Sequence, residues 1–454
     1  MADTVMRAAL GCYGGAVRTP HIDALASHAH RFEQLYQPAN MCQPSRVTWM
    51  TGCLPATTQV YVNGFGNNRR QQRTLLRELA DAGYLGGYLG LFHCWPGPDR
   101  DGLDAHQWLD WIYDWQGDPH SWSVPEETAR AWRAHLSGMG ITSPDDQLRD
   151  FQKHAGHTDF PLAAHPAVRI ADQSIQAIRG FSQERPNLLW TSFLMPHEPW
   201  APPREYLERH AGVDLPLPAS WREGLSGETP RPGTAGNREQ FLMLGPDIEP
   251  NLRRLWQAYA GCMALVDEQV GRIIAELKAR ALYDDALIVF MTDHGTTHGA
   301  HGWLYKGGSF MIDEVSRVPC LVKLPGQRQA STIPDIVSSA DLYPTLMELL
   351  GLLHAAVDGR SWTGLFSGAT RPDARAYGQH LAGNEPGSEA VRSLRVGTFK
   401  FNLYAQPGRD ELFDLANDPA EQVNRIGDRP ALAQELRADL VSAIRSSTDV
   451  FQVT

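Results

Sequence analysis

Three short stretches gather side chains able to act on an anion. The first, Met41–Gly52, reads MCQPSRVTWMTG. Pro44 fixes the backbone beside Cys42, Ser45 and Arg46 can hold negative charge, and Val47–Met50 starts a helix. A cysteine close to a helix N-terminus and an arginine is placed for activation and for meeting an anion. The second, Ile288–Lys306, reads IVFMTDHGTTHGAHGWLYK. Its apolar run ends in Asp293-His294-Gly295, and a carboxylate beside an imidazole suits a divalent cation. His301 and Lys306 follow on a loop, and His298, which also lies inside this stretch, is incidental. The third is Pro196-His197-Glu198-Pro199, directly after the apolar run Leu188–Met195. It places His197 at the end of a strand.

The elements that must carry these groups follow from periodicity. Ala286–Met291 and Leu188–Met195 are short, continuous apolar runs, the pattern of strands buried on both faces. Leu252–Ala281 repeats apolar residues at three- and four-residue steps and reads as a long amphipathic helix. Thr74–Tyr84 reads as a shorter helix stopped by Gly83. Helix followed by buried strand predicts an α/β fold with a mostly parallel central sheet flanked by helices. In such sheets ligands collect at the carboxyl ends of strands, where Asp293, His294 and His197 emerge. Val391–Tyr404 and Glu411–Leu415 read as short alternating strands and Pro430–Ser446 as a closing helix. We therefore expect a catalytic domain over residues 1–355 and a smaller C-terminal α+β subdomain over 356–454. Residues 95–160, with six tryptophans from Trp95 to Trp132, read as an insertion.

Composition narrows the function. The chain has 454 residues, 42% of them hydrophobic, enough for a sizeable core. A net charge of −11 argues against nucleic-acid partners but not against a small anionic substrate held by a few local cations. No apolar run approaches a membrane span. Met1–Gly15 shows no signal-peptide pattern, and the six cysteines form no CxxC pair; together these predict a cytoplasmic protein. There is no phosphate-binding GxxxxGK[ST]. His154 and His157 read as a solvated helix face, and Arg69, Arg70 and Arg73 as a surface run.

Taken together, Cys42-x-Pro44-Ser45-Arg46 with Thr51-Gly52 resembles the signature of type I sulfatases, within the alkaline phosphatase superfamily. Asp293-His294-Gly295, Gly299-x-His301-Gly302 and Lys306 are similar to that family's second motif, and Pro196-His197-x-Pro199 to its Pro-His-x-Pro turn. Weaker matches at Leu10–Gly14, Thr19–Asp23, Ser339–Leu352 and Leu412–Pro419 extend the resemblance over most of the chain. It implies a formylglycine nucleophile made from Cys42 by a maturation enzyme. It also implies one divalent ion, Ca2+ or Mn2+, on Asp3, Asp293, His294 and an oxygen at position 42. Arg46 would pair with the nucleophile or the ester oxyanion. Lys306, with His197 or His93, would serve the leaving oxygen, and His301 would remove a proton from residue 42. The implied substrate is a small sulfate ester. Asn63 and the Asp-His pair at 293–294 point toward the branch near phosphonate monoester hydrolases and choline-sulfatase-like enzymes. A phosphonate monoester or phosphodiester hydrolase with the same site is therefore the alternative activity, and a homo-oligomer is compatible with either.

Three positions depart from the family pattern. Cys53 stands where the family usually has Arg. Leu91, in Gly90-Leu91-Phe92-His93, replaces a lysine that would face the anion. Only Met1 and Ala2 precede Asp3, where the family has an apolar strand. Either the start codon lies further upstream, or the chain is a truncated, catalytically impaired relative that only binds an anionic ligand.

Overall fold

The computed structural model describes residues 1–63, 72–92, 94, 156–158, 161–225, 241–242, 244–306, 308, 310–381 and 390–452. The tryptophan-rich stretch apart from 156–158, and with it His93, His154, Arg69 and Arg70, lies outside the described residues.

One sheet contains β1 (His30–Tyr36), β4 (Ile288–Met291), β5 (Arg317–Val318), β6 (Cys320–Lys323) and β7 (Ser331–Ser338). A second pairs β2 (Leu85–Gly90) with β3 (Asn187–Ser192) in parallel. β1 runs parallel to β7, while β5 and β6 run antiparallel to β1, and β6 antiparallel to β4. Hence β4, β1 and β7 point one way and only the β5–β6 ribbon opposes them. Pro319, lacking an N–H for the ladder, separates β5 from β6. β6 is buried throughout, so its apolar run carried no sign of its direction.

Residues 1–3 bridge the two sheets. Phe193 N–H donates to Met1 O, Asp3 N–H to Phe193 O (3.0 Å each) and Ala2 N–H to Met291 O (3.3 Å). Before this bridge, β3 and β4 diverge around an apolar cavity of about 460 Å³, lined by Met1, Leu188, Trp190, Ile288, Phe290 and residues of the flanking helices. Residues 1–3 together thus have sheet partners on both sides, and the strand edges upstream of them face the cavity.

Helices cover the faces. In chain order, those that position the site are α1 (Pro20–Ala26), α2 (Cys42–Thr51), α3 (Leu75–Asp81), α4 (Pro166–Arg179), α5 (Ile248–Ala279), α6 (Leu342–Leu349) and α7 (Pro430–Arg445). α3 starts where Thr74 Oγ1 accepts the Arg77 N–H at 3.2 Å, an N-cap worth about 1 kcal/mol. α5 buries Leu252, Leu255, Tyr259, Met263 and Val266 in the largest apolar cluster. Its Asp267 accepts Ile22 N–H (2.8 Å) and His21 N–H (3.1 Å), satisfying the start of α1. Burial pushes this carboxyl up to about 6.

α2 begins at Cys42 rather than at the Val47 expected from the sequence. Pro44 is tolerated because first-turn N–H groups have no intrahelical acceptor. Every residue of α2 is buried, so no polar face betrayed its start. The helix face expected at His157 is also corrected, while His154 lies outside the described residues. Residues 156–158 are extended against the Trp200–Pro203 segment, with Gly156 N–H on Trp200 O and Thr158 N–H on Pro202 O.

After residue 375 the chain forms an antiparallel sheet of β8 (Arg375–Leu381), β9 (Ala390–Val396), β10 (Phe399–Tyr404) and β11 (Glu411–Asp414), in the order β11-β10-β9-β8. α7 packs Leu436, Leu440 and Ile444 onto Leu394, Phe401 and Leu412 of this sheet. Lys400 reaches back to Asp313 at 2.8 Å, and Arg395 to Tyr36 at 2.9 Å.

Candidate active site

The carboxyl ends of β2, β3 and β4, the bridge at residues 1–3 and the start of α2 converge on one point. Ligand-capable atoms of Asp3, Cys42, Asp293 and His294 all lie within 4.8 Å of one another, and all four residues are buried. Cys42 Sγ is 3.0 Å from His294 Nε2. His294 Nδ1–H donates to Gly295 O at 2.8 Å, which leaves Nε2 as the lone-pair nitrogen aimed into the cluster. An outer hydrogen bond that fixes tautomer and ring orientation is what a ligating histidine needs. A Cβ on Gly295 would stand 2.0 Å from Glu314 O, so this turn requires glycine.

Each carboxylate is held by short local bonds. Asp293 Oδ1 accepts the N–H groups of Thr4 and His294, both at 3.1 Å. Asp3 Oδ1 accepts Thr4 Oγ1–H at 2.6 Å. Thr4 sits at φ 62° and is pinned by Tyr259 of α5, whose hydroxyl donates to Thr4 O (3.0 Å) and accepts Met6 N–H (2.8 Å). A Tyr259→Phe variant would strand both backbone groups in the core. It is expected to cost about 1–3 kcal/mol and to weaken divalent-cation binding by releasing Asp3. Thermal unfolding with and without Mn2+ checks this; an unchanged midpoint would count against the anchoring role.

Arg46 lies behind the cluster, 1% exposed. Its Nε donates to Asp293 Oδ2 (2.8 Å), one terminal nitrogen to Asp3 Oδ2 (2.9 Å) and the other to Leu91 O (2.5 Å). The guanidinium fork matches two carboxylates and a carbonyl at once. Leu91 O is within reach because β2 ends on Gly90 (φ +96°), where a Cβ would collide with Ser192 O at 1.9 Å. Burial opposes the charge on Arg46, and Asp293 and Asp3 more than restore it. Burial likewise opposes ionisation of Asp3, which the surrounding positive charge, Arg46 and Lys306 included, overcomes. Burial, reinforced by Asp3, pushes the Cys42 thiol well above its ordinary range. The unmodified cysteine is thus a poor thiolate nucleophile.

Lys306 and His197 form the second half of the site. Lys306 Nζ donates to His197 Nε2 (2.5 Å) and Glu198 Oε1 (2.8 Å). His197 Nδ1–H donates to Glu198 O at 2.6 Å. Burial lowers the Lys306 ammonium less than Glu198 and the Cys42 and Asp3 groups raise it, so it stays charged and acts electrostatically on the cluster. His301 is anchored by Glu223 Oε2 at 2.8 Å from its Nδ1. Asn63 Oδ1 accepts the Gln43 N–H at 2.9 Å, capping the first turn of α2 one residue from Cys42. His298 packs instead among Trp200, Trp256 and Tyr259, with ring centroids 4.4–5.1 Å away. Arg73 pairs with Glu78 and Asp81 on the surface. Sequence reasoning missed Glu198, Glu223 and Tyr259. Glu198 lay in view as the variable position of Pro-His-x-Pro, whereas nothing in the sequence marked the other two.

The donor set fits a hard or borderline divalent cation. Two carboxylates, an imidazole nitrogen and the atom at position 42 surround one buried point, and Arg46 balances the carboxylates from behind. The thiol sulfur here stands where an oxygen of a converted residue 42 would lie.

A family model described as Sulfatase matches residues 1–352. The chain belongs to the sulfatase family. A second model, N-sulphoglucosamine sulphohydrolase, C-terminal, matches residues 299–448. Membership makes the chain a sulfuric ester hydrolase and fits the mixed α/β architecture. Among curated sulfatases it is 26% identical to an arylsulfatase of Clostridium perfringens (strain 13 / Type A), over 94% of this chain and 89% of that protein. It is 28% identical to a choline-sulfatase of Rhizobium meliloti (strain 1021), over 90% of this chain and 77% of that one. A phosphonate monoester hydrolase from Silicibacter pomeroyi shares the fold, with a TM-score of 0.80, 23% identity, and coverage of 99% of this chain and 95% of that one. These neighbours put this sulfatase in the branch expected from its motifs. No helix among the described residues is long and apolar enough to cross a membrane.

Proposed function

We propose that this chain hydrolyses small anionic sulfate esters with a formylglycine nucleophile made from Cys42 by a maturation enzyme, assisted by one Ca2+ or Mn2+ ion at Asp3, Asp293 and His294. The observation that carries the reading is the buried four-residue cluster at the strand ends, with Lys306 acting on it from one side. When bound, the ion would lower the pKa of the hydroxyl at position 42 and neutralise charge on the transferring group.

The chain's own residues do the rest. Arg46 fixes Asp3 and Asp293 through its two ion pairs while its charge faces residue 42. Asn63 holds the first turn of α2, and with it position 42, in place. The Lys306 ammonium stabilises or protonates the leaving oxygen, oriented by His197. His301, braced by Glu223, removes the proton from residue 42 when the cycle resets. His93, outside the described residues, would join the leaving-group side.

Parallel assays with aryl sulfate and aryl phosphonate esters test this. Sulfate ester hydrolysis that is lost on chelation and regained with Mn2+ or Ca2+ is the expected result; turnover of neither ester would overturn it. A phosphonate monoester or phosphodiester hydrolase is the second reading. It is favoured by Leu91, a buried apolar side chain where a substrate-facing lysine is usual, and by the phosphonate hydrolase fold match. A higher kcat/KM on the phosphonate would select it.

A further inference from the structure

Resting on the reading above, we propose that Glu198 is a charge-selecting residue. By cancelling the charge of Lys306 it tunes the anion pocket to esters carrying one negative charge, as sulfate esters do, and against phosphate monoesters carrying two.

Its carboxylate is held inside the site, not on a surface. Glu198 Oε1 accepts the Lys306 ammonium at 2.8 Å, and the pair is only 16% and 9% exposed. Oε2 is buried and, among the described residues, has no hydrogen-bond partner, lying 3.6 Å from His197 Nδ1. An acid so placed costs desolvation that a structural hydrogen bond to Lys306 alone would not require. The carboxylate is nevertheless ionised: burial opposes its charge, and Lys306, donating to it at 2.8 Å, helps hold it below the ordinary carboxylate range.

The charge balance then sets selectivity. Lys306 offers only donors, so His197 Nε2 accepts from it and the ring is neutral. Around residue 42, two cations, Arg46 and Lys306, therefore stand against three anions, Asp3, Asp293 and Glu198, with the Glu223 carboxylate set apart on His301. The net is minus one, and a divalent ion in the cluster makes it plus one. A sulfate monoester or phosphonate monoester, each carrying one charge, completes neutrality. A phosphate monoester, close to two charges above its second pKa of about 6, leaves an uncompensated charge in a buried site. Position 91 deepens the preference, since its leucine contributes no cation. Rejection through an unbalanced buried charge is a strong form of discrimination.

Glu198→Gln removes the charge while keeping a carbonyl for Lys306. It is expected to raise kcat/KM for an aryl phosphate about tenfold or more relative to the aryl sulfate. Independently of turnover, calorimetric titration of the full chain with inorganic sulfate and methyl sulfate compares a dianion with a monoanion. The Kd ratio should move about tenfold toward the dianion in Glu198→Gln. It should return to the parent ratio in the Glu198→Gln/Lys306→Gln double variant, which restores the net charge. Parallel changes for both anions, or a double variant that fails to restore the ratio, would overturn the proposal. Should the parent chain bind both anions and hydrolyse no ester, the catalytic reading fails while the titration still decides the role of Glu198.

Discussion

A Cys42→Ala variant is expected to lose ester hydrolysis by on the order of 10³-fold or more and to keep its fold. Alanine is the best helix former and Cys42 opens a helix. The deleted sulfur leaves a void smaller than a methylene-sized defect costing about 1 kcal/mol. The catalytic loss follows because nothing else in the cluster carries a nucleophile. Asp3 and Asp293 are both bonded to Arg46, and His294 is committed through Gly295. Removing the nucleophile of a site that acts as a unit removes most of its rate enhancement. Because burial holds the unmodified thiol protonated, activity should scale with the fraction of residue 42 converted to the aldehyde. Peptide mass spectrometry of residues 41–46 alongside specific activity measures that relation. Full activity in protein whose Cys42 is wholly unmodified, or in the alanine variant, would sink the aldehyde route.

Much of this architecture was readable because the chemistry sits on simple patterns. The apolar runs Leu188–Met195 and Ala286–Met291 marked two strands whose exits carry His197, Asp293 and His294. The three- and four-residue periodicity of α5 gave its extent to within a few residues. What stayed hidden depends on contacts between distant segments. β6 runs against its neighbours, a direction its uniformly buried residues do not encode. Tyr259 and Glu223 serve the site from elements far from any motif, and their spacing distinguishes them from no other tyrosine or glutamate. Asp3 stood out by its offset from the opening stretch, yet its hold in the fold is tertiary: Phe193 beyond β3, Thr4 and Arg46 share it. Arg46 was legible as an anion-binding residue. That it clamps two carboxylates and the Leu91 carbonyl became apparent only in three dimensions.

That clamp leads to the second large effect. An Arg46→Met variant is expected to lose about 3–5 kcal/mol of stability, because it leaves Asp3 and Asp293 as uncompensated buried charges. Arg46→Lys should fall between the two, since one ammonium cannot span two carboxylates and a carbonyl. The sign of the metal response distinguishes a bare ion pair from a built cation site. If the two carboxylates and His294 form such a site, losing the arginine makes it more negative and raises its affinity for a divalent ion. Saturating Mn2+ or Ca2+ should then recover a larger share of thermal stability in Arg46→Met than it adds to the parent chain, the gain following RT ln(1 + [L]/Kd). Activity should not recover alongside stability, because Arg46 also places positive charge beside residue 42. Scanning fluorimetry over a metal titration reads the stability, and ester turnover on the same samples reads the activity. Equal metal-induced shifts in both proteins, or none in either, would show that the cluster is not a cation site and would return the chain to the non-catalytic reading.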